Sequence, residues 1–206
     1  LTTHQEGTGG RVKIGIIGYG VVGRHIAEDV THAGHQVLAY DTAPQYFTAL
    51  VASVSVLRSS FKPSEDGSCV VTDWRPAQAE LNQCDAAFVC VPSPMAEGGS
   101  CDLAAINDVF AWLNVPLAII RSTVPPGTTE KIAGLYPRAS SGRGNVVFVP
   151  EFIGEGVNAP YAQMKQPPFL IIGGRPKARE HAGQVLAQIY ISECEFVYTD
   201  ATTAEV

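Results

Sequence analysis

The sequence lacks the features of several functional classes. None of its apolar runs approaches the ~18 residues that a membrane-spanning helix requires. The 14 lysines and arginines are scattered and the formal net charge is −6, so no basic patch for nucleic acid or an anionic membrane is visible. We therefore expect neither a nucleic-acid nor a membrane partner. No repeat or long linker divides the 206 residues, which are enough for one domain but a tight fit for two.

The cysteine pattern lacks the marks of a metal centre. The five cysteines are widely spaced, without a Cys-x-x-Cys pair or histidines at ligand spacing. They are Cys69, Cys84, Cys90, Cys101 and Cys194. We predict reduced thiols in or near a core, and no bound metal.

The first ten residues are polar and glycine-rich and do not resemble a signal peptide. We predict a disordered tail over residues 1–10 and a cytoplasmic location.

Short apolar runs recur along the chain with amphipathic stretches between them. Several runs are apolar nearly throughout, which is typical of parallel strands covered by helices on both faces. The predicted strands lie at 12–17, 36–40, 70–71, 86–91, 117–121, 146–149, 169–172 and 195–198, and the helices at 21–33, 103–113, 128–136 and 178–189. Polar residues predict surface loops at 59–67 and 140–145. The order indicates an α/β fold, a doubly wound, mostly parallel Rossmann-type sheet in a single domain.

A glycine-rich motif stands where the first predicted strand meets the first predicted helix. It reads Gly18-Tyr19-Gly20-Val21-Val22-Gly23. Gly18 permits the tight turn, Gly20 lets the backbone approach a pyrophosphate, and Gly23 lets the helix pack on the sheet. The N-terminus of that helix then faces the anion, so we expect a dinucleotide here.

Asp41 follows the second predicted strand, at about the 20-residue offset from the glycines that is typical of dinucleotide sites. An acidic side chain there accepts hydrogen bonds from the adenosine ribose hydroxyls and repels the extra phosphate of NADP. We predict NAD as the cofactor. The alternative is an ordinary strand-to-helix turn, with Asp41 capping the next element.

Three later stretches, each at the predicted carboxyl end of a strand, narrow this fold to a family. They read Val89-Cys90-Val91-Pro92-Ser93-Pro94-Met95, Arg121-Ser122-Thr123-Val124-Pro125-Pro126-Gly127-Thr128-Thr129, and Val149-Pro150-Glu151-Phe152-Ile153-Gly154-Glu155-Gly156. In sequence and order they resemble the V-P-T-P, S-T-V-P-x-G-T and N-P-E-F-L-x-E-G segments of the UDP-glucose/GDP-mannose dehydrogenase family. The resemblance runs from about Val12 to the C-terminus.

This resemblance implies an oxidoreductase of the NAD-dependent UDP-glucose 6-dehydrogenase type. Enzymes of the family oxidise the primary alcohol of the sugar twice, passing two hydrides to two NAD molecules through a thiohemiacetal and a thioester on a cysteine. Water then releases the uronic acid. The expected partner is a UDP-sugar, UDP-glucose foremost, in polysaccharide biosynthesis. Full-length members commonly form homodimers through a central helix.

The resemblance also implies roles for individual residues. Thr123 would position a catalytic water or the sugar, Glu151 would act as the general base, and Glu155 would lie near the nicotinamide and the sugar. Phe152 would contact the substrate together with both glutamates. The cofactor-binding residues would be Gly18, Tyr19, Gly20, Val21, Val22, Gly23, Asp41, Val91, Pro92, Ser93, Ser122, Thr123 and Glu155. Turn formation is the alternative for the first two loops, and a solvated acidic pair at a helix start for the glutamates.

Parts of the family pattern have no counterpart. The nucleophile's G-G-x-C-x-P-K-D segment is absent, and Gly98-Gly99-Ser100-Cys101-Asp102 matches only its first half, so we expect Cys101 to be a loop cysteine. Val149 replaces the usual polar residue before Pro150. The family's oxyanion-stabilising lysine and asparagine would lie beyond Val206.

We accordingly expect an NAD-binding domain at residues 11–199 and the start of an interdomain helix at 200–206. Without the cysteine domain, we expect the chain alone to be inactive. A short, stand-alone protein that binds NAD or a nucleotide sugar without redox chemistry is the main alternative. A 3-hydroxyacid-type dehydrogenase shares the fold and the first motif, but resembles neither the Thr123 loop nor the Glu151 loop.

Overall fold

The computed structural model describes residues 10–42, 54–56, 61–63, 69–71, 75–135, 145–151, 167–190 and 194–206. The strands are β1 Lys13–Ile17, β2 Gln36–Tyr40, β3 Val54–Val56, β4 Phe61–Pro63, β5 Cys69–Val71, β6 Ala86–Val89, β7 Leu117–Ile120, β8 Asn145–Phe148, β9 Phe169–Gly174 and β10 Glu195–Thr199. The helices are α1 Val21–His32, α2 Arg75–Leu81, α3 Ala104–Trp112, α4 Thr128–Leu135, α5 Pro176–Ile189 and α6 Ala201–Ala204.

Eight strands form the main sheet, in the order β10-β9-β8-β7-β6-β1-β2-β3. Neighbouring strands are parallel except β8 and β9, which pair antiparallel. The first strand is central, with Ile17 opposite Tyr40 on one side and Val89 on the other. The predicted doubly wound, mostly parallel Rossmann-type sheet is therefore confirmed.

Helices cover both faces of this sheet. Successive side chains of a strand point to opposite faces, so each buried strand contributes to two apolar layers. Ile14 and Ile16 pack with apolar residues of α1 and α5, whereas Ile17 packs with residues of α2, α3 and α4. This double burial explains the nearly continuous apolar runs, because neither face of a central strand meets water.

The region after β2 departs from prediction. The loop predicted at 59–67 is wrong in part, because β4 lies within it and pairs antiparallel with β5 in a separate two-stranded sheet. The predicted strand at 70–71 exists as part of β5, outside the main sheet. The strand β3, which extends the main sheet beside β2, was not predicted. Three-residue strands are too short for hydrophobic periodicity to indicate.

The helix α2 was not predicted either, whereas the ends of the remaining strands and helices agree with prediction to within a few residues. Asp200 is the N-cap of the helix α6. Its carboxylate accepts one hydrogen bond from the Thr203 N–H at 2.9 Å and another from the Thr203 hydroxyl at 2.6 Å. None of the helices in the described ranges is long and apolar enough to cross a bilayer. The predicted tail, apart from Gly10, and most of the predicted loop 140–145 lie outside the described residues.

Candidate cofactor and substrate site

The glycine turn between β1 and α1 is built from three glycines with different surroundings. Gly18 has φ +94°, and a Cβ there would lie 2.5 Å from the Cys90 carbonyl oxygen. A Cβ on Gly23 would overlap the Gly18 carbonyl oxygen. Gly20 has no atom within 4 Å of such a position. Gly18 and Gly23 are therefore required by packing, while Gly20 leaves open space above the N-terminus of α1, where a pyrophosphate fits.

Backbone hydrogen bonds fix this turn to the neighbouring strands. The Gly18 N–H donates to the Tyr40 carbonyl at 2.8 Å, and the Cys90 N–H donates to the Ile17 carbonyl at 2.7 Å. The Tyr19 N–H donates to Asp41 Oδ2 at 2.6 Å. These contacts bring the carboxyl ends of β1, β2 and β6 together.

The other residues of the motif divide between core and surface. The Tyr19 side chain is buried in the core, so only its backbone is part of the turn. Val22 is half-buried and packs against that core, whereas Val21 is 49% exposed. Arg24, which was not among the predicted site residues, donates from Nε to the Gly20 carbonyl at 3.2 Å. The position of Arg24 in the sequence could have indicated this contact, because a residue four positions after Gly20 lies about one helical turn from it. It adds a positive charge beside the open turn.

A cavity of about 750 Å³ opens beside Asp41, within the range of about 300–1,000 Å³ typical of small-molecule sites. Gly18, Asp41, Val91 and Pro92, which are four of the residues predicted to bind the cofactor, line it. Tyr40 also lines it, and burial, followed by the charge of Asp41, raises the pKa of its phenol. The glycine turn, the acid and the cavity fit the adenosine diphosphate half of NAD.

One wall of this cavity comes from α3, which the sequence analysis did not connect with the cofactor. Ala105, Asp108, Val109 and Trp112 line the cavity. These positions follow the spacing i, i+3, i+4 and i+7, so they share one face of the helix. The sequence pattern predicts an amphipathic helix. It does not predict that the helix lines a cavity, because only the sheet topology brings α3 opposite Asp41.

Ser122 joins two of the predicted loops. Its hydroxyl donates to the Val91 carbonyl at 2.6 Å and lies 3.3 Å from the Val89 carbonyl. The residue is buried. Ser122 therefore holds the turn of Val91, Pro92 and Ser93 against the end of β7.

Thr123 follows Ser122 and is exposed at the same edge. The Cys101 thiol lies beside it, 3.9 Å from the Thr123 carbonyl oxygen and 3.6 Å from the Ser93 carbonyl oxygen. Cys101 lies in a loop, and its backbone pairs antiparallel with that of Met95. Thr123 therefore lies at the solvent-facing edge of the sheet, next to the loop that contains Cys101.

The loop that follows Thr123 is tied to the C-terminal helix. Glu205 accepts hydrogen bonds from the Gly127 N–H at 2.5 Å and from the Thr129 N–H at 2.7 Å. Its carboxylate therefore caps the N-terminus of α4, where backbone N–H groups would otherwise lack partners. The helix α6 packs closely on β9, since a Cβ on Gly173 would overlap the Ala204 side chain.

Glu151 follows β8 in the chain, and its side chain pairs with that of Arg121, which follows β7. An Arg121 Nη2 hydrogen donates to Glu151 Oε2, and the two side chains are only 4% and 13% exposed. Burial opposes the charged guanidinium, but the Glu151 carboxylate raises the pKa of Arg121 on balance. Arg121 keeps a buried Nε without a hydrogen-bond partner among the described residues. A strong electrostatic pair therefore fixes Glu151 at the crevice.

A buried polar group lies behind this pair. Asp29 of α1 is hydrogen-bonded to the Tyr190 hydroxyl, and burial raises the pKa of Asp29 to about 6. Burial likewise raises the pKa of Tyr190. Burial raises the pKa of the Cys90 thiol to about 12 and that of Cys84 to about 11. Both thiols are therefore protonated and unreactive near neutral pH.

The predicted residues at the carboxyl edge of the sheet are thus brought together as far as the structure describes them. The glycine turn, Asp41, the 91–93 turn, the Ser122–Thr123 loop and Glu151 end five adjacent parallel strands. Phe152 and Glu155, which were predicted to contact the substrate, lie outside the described residues. Within the described ranges, no group of three or more His, Cys, Asp or Glu side chains could hold a metal ion.

Comparison with known proteins agrees with this geometry. Residues 12–192 match the model described as UDP-glucose/GDP-mannose dehydrogenase family, NAD binding domain. A UDP-glucose 6-dehydrogenase of Rickettsia conorii is 34% identical over 62% of this chain and 30% of its own. A UDP-N-acetyl-D-mannosamine dehydrogenase of Methanococcus aeolicus is 27% identical over 94% of this chain and 45% of its own.

The same fold occurs in a solved structure, a UDP-glucose dehydrogenase from Pyrobaculum islandicum. It superposes on all of this chain and on 49% of its own length, with a TM-score of 0.68 and 21% identity. At that identity the likeness shows the fold alone. The chain spans about half the length of the relatives that it matches throughout.

Proposed function

This chain belongs to the UDP-glucose/GDP-mannose dehydrogenase family, and on that premise we propose that it is the cofactor-binding half of a nucleotide-sugar 6-dehydrogenase. Members of the family are NAD-dependent sugar dehydrogenases, and the family match confirms the predicted NAD cofactor. The proposed reaction is oxidation of the C6 alcohol of a UDP-sugar to the uronic acid. Bound NAD would supply the hydride acceptor.

The observation that carries the proposal is the buried pairing of Arg121 with Glu151 beside the exposed Thr123. Dinucleotide binding alone needs no acid at the end of β8, since the glycine turn and Asp41 already account for the pyrophosphate and the ribose. The ion pair holds a charged carboxylate at the crevice, where it can accept a hydrogen bond from a water or an alcohol, and its proposed role as the general base rests on the family resemblance. In the proposed site the hydroxyl of Thr123, which is exposed at the same edge, orients that water or alcohol by hydrogen bonding.

The proposed substrate is more specific than the substrate class that the family match supports. The relatives named above act on UDP-glucose and on UDP-N-acetyl-D-mannosamine according to their names. We propose UDP-glucose, with Phe152 and Glu155 joining Glu151 in contacting the sugar and Glu155 also reaching the cofactor. Val149, in place of the family's polar residue, has no hydrogen-bonding group in its side chain.

The remaining parts of the proposal concern the whole protein. Residues 11–199 form the NAD-binding domain, and residues 200–206 begin the helix that leads to a second domain carrying the thiol nucleophile. That protein is proposed to be a cytoplasmic homodimer in polysaccharide biosynthesis. Because Cys101 lacks the Pro-Lys-Asp that follows the family's nucleophile, this chain alone is proposed to be inactive.

Calorimetric titration of the chain with NAD, with NADP, and with UDP-glucose in the presence of NAD tests the proposal. The expected result is binding of NAD, weaker binding of NADP, and further heat on addition of UDP-glucose. Hydrogen exchange should then slow at Thr123 and Glu151. A parallel assay of NADH formation should show no turnover by the chain alone.

Three results would contradict parts of this proposal. Two-step oxidation by the isolated chain would refute the division of labour between domains. Binding of NAD with no response to UDP-glucose or UDP-N-acetyl-D-mannosamine would favour the stand-alone binding protein. Tighter binding of NADP than of NAD would overturn the reading of Asp41.

A further inference from the structure

The wall that α3 contributes to the cavity carries one acidic side chain. Asp108 is exposed and lies on the same helix face as Ala105, Val109 and Trp112. No described residue forms a hydrogen bond or an ion pair with its carboxylate. The acid therefore has no evident role in holding the fold together.

The rest of the cavity is lined mainly by apolar side chains. Ile17, Val91 and Pro92 line it from the strand ends, opposite Val109 and Trp112 of α3. The polar side-chain groups in the lining belong to Tyr40, Asp41, Thr42, Asp108 and, through its indole N–H, Trp112. Asp41 lies beside the glycine turn, where a ribose follows the pyrophosphate, so the apolar part of the cavity receives the base beyond the ribose.

A carboxylate in such a cleft distinguishes bases by their donor groups. Adenine presents an exocyclic amino group, which donates hydrogen bonds, whereas hypoxanthine presents a carbonyl oxygen at the same position. A carboxylate accepts from the amino group and repels the oxygen. A site built around a hydrogen bond rejects an analogue that lacks it, because a polar group then loses its partner.

We propose that Asp108 is a specificity-determining residue that selects the adenine base of the dinucleotide by accepting a hydrogen bond from its 6-amino group. The proposal rests on NAD as the cofactor and extends it to the base. Asp41 selects against the phosphate of NADP at the ribose, and Asp108 selects the base within the same cavity.

The test compares NAD with its 6-oxo analogue, nicotinamide hypoxanthine dinucleotide, by calorimetry on the chain. We expect the unaltered chain to bind NAD about tenfold more tightly than the analogue, the size expected for one exposed hydrogen bond to a charged group. In Asp108→Asn the ratio should fall below about threefold, because an amide can donate to the carbonyl oxygen as well as accept. Asp108→Ala should also reduce the ratio, through weaker binding of NAD.

Glu180→Gln provides the matched control, because it removes one exposed helical acid on α5, away from the cavity. It should leave the ratio unchanged. Equal binding of both dinucleotides by the unaltered chain, or an undiminished ratio in Asp108→Asn, overturns the proposal. Binding of neither dinucleotide overturns the cofactor assignment itself, and the base selection with it. Circular dichroism of each variant separates a lost preference from a lost fold.

Discussion

Asp41 Oδ2 accepts a hydrogen bond of 2.6 Å from the backbone N–H of Tyr19, across 22 residues of sequence. The acid that would bind the ribose is thus anchored to the turn that would bind the pyrophosphate. A carboxylate held in this way loses little conformational freedom when a ligand arrives. The two halves of the dinucleotide site are consequently organised as one unit.

Replacement of Asp41 by asparagine should relax the preference for NAD over NADP. The amide carbonyl can still accept from Tyr19, but the charge that repels the 2′-phosphate is gone. We expect the ratio of the two dissociation constants to fall about tenfold. Calorimetry with both dinucleotides measures it, and Glu80→Gln, on the exposed side of α2, serves as the control. An unchanged ratio would assign the discrimination to other residues.

The glycines of the turn should separate stability from binding. Gly18→Ala places a Cβ against the Cys90 carbonyl in a left-handed conformation, so the melting temperature should fall markedly. Gly20→Ala meets no atom in the protein, so its melting temperature should change little while its affinity for NAD drops. Thermal unfolding and calorimetry on the two variants check this. Equal destabilisation of both would contradict the distinction.

Part of this site was readable from the sequence, for identifiable reasons. The glycine motif and Asp41 are encoded by local spacing, since strand, turn and helix follow one another in the chain. The presence of Asp108 and Trp112 in the cavity wall could not be predicted from the sequence, because it depends on where α3 packs against the sheet. The pairing of Arg121 with Glu151 joins residues 30 positions apart. Its existence follows from the adjacency of β7 and β8, which periodicity does not specify.

Breaking the buried pair should cost far more than breaking an exposed one. Arg121→Met leaves the Glu151 carboxylate in a buried place without its guanidinium, and should lower the free energy of unfolding by about 3 kcal/mol. Arg175 pairs with Glu130 at 3.3 Å with both side chains exposed, so Arg175→Met should cost less than about 1 kcal/mol. Urea unfolding of both variants tests the contrast. Similar losses would refute it.

Asp29 should make stability depend on pH in a defined direction. Its pKa is raised in the folded chain from 3.8 to about 6, so the native state favours the protonated form. Its contribution to stability is full below pH 3.8 and is lost as the pH rises through about 6. The stability of Asp29→Asn relative to the unaltered chain should therefore rise between pH 3.8 and about 6 and stay constant above that, with a total gain on the order of 2 kcal/mol.

Urea unfolding of the unaltered chain and of Asp29→Asn at several pH values measures the difference between their free energies of unfolding. Taking the difference removes the contributions of the titrating groups that the two proteins share. His181→Asn is a useful companion, because burial lowers the pKa of His181, and any pH effect of that substitution should have the opposite sign. A difference between Asp29→Asn and the unaltered chain that stays constant with pH would show that Asp29 does not titrate in this range.

The cap that Glu205 places on α4 gives the last residues of the chain a mechanical role. Two hydrogen bonds of 2.5 and 2.7 Å connect α6 to the loop that presents Thr123. The packing of Ala204 on Gly173 leaves α6 little room to slide. A rotation of α6 would therefore displace the loop that presents Thr123, because both hydrogen bonds of Glu205 would move with the helix.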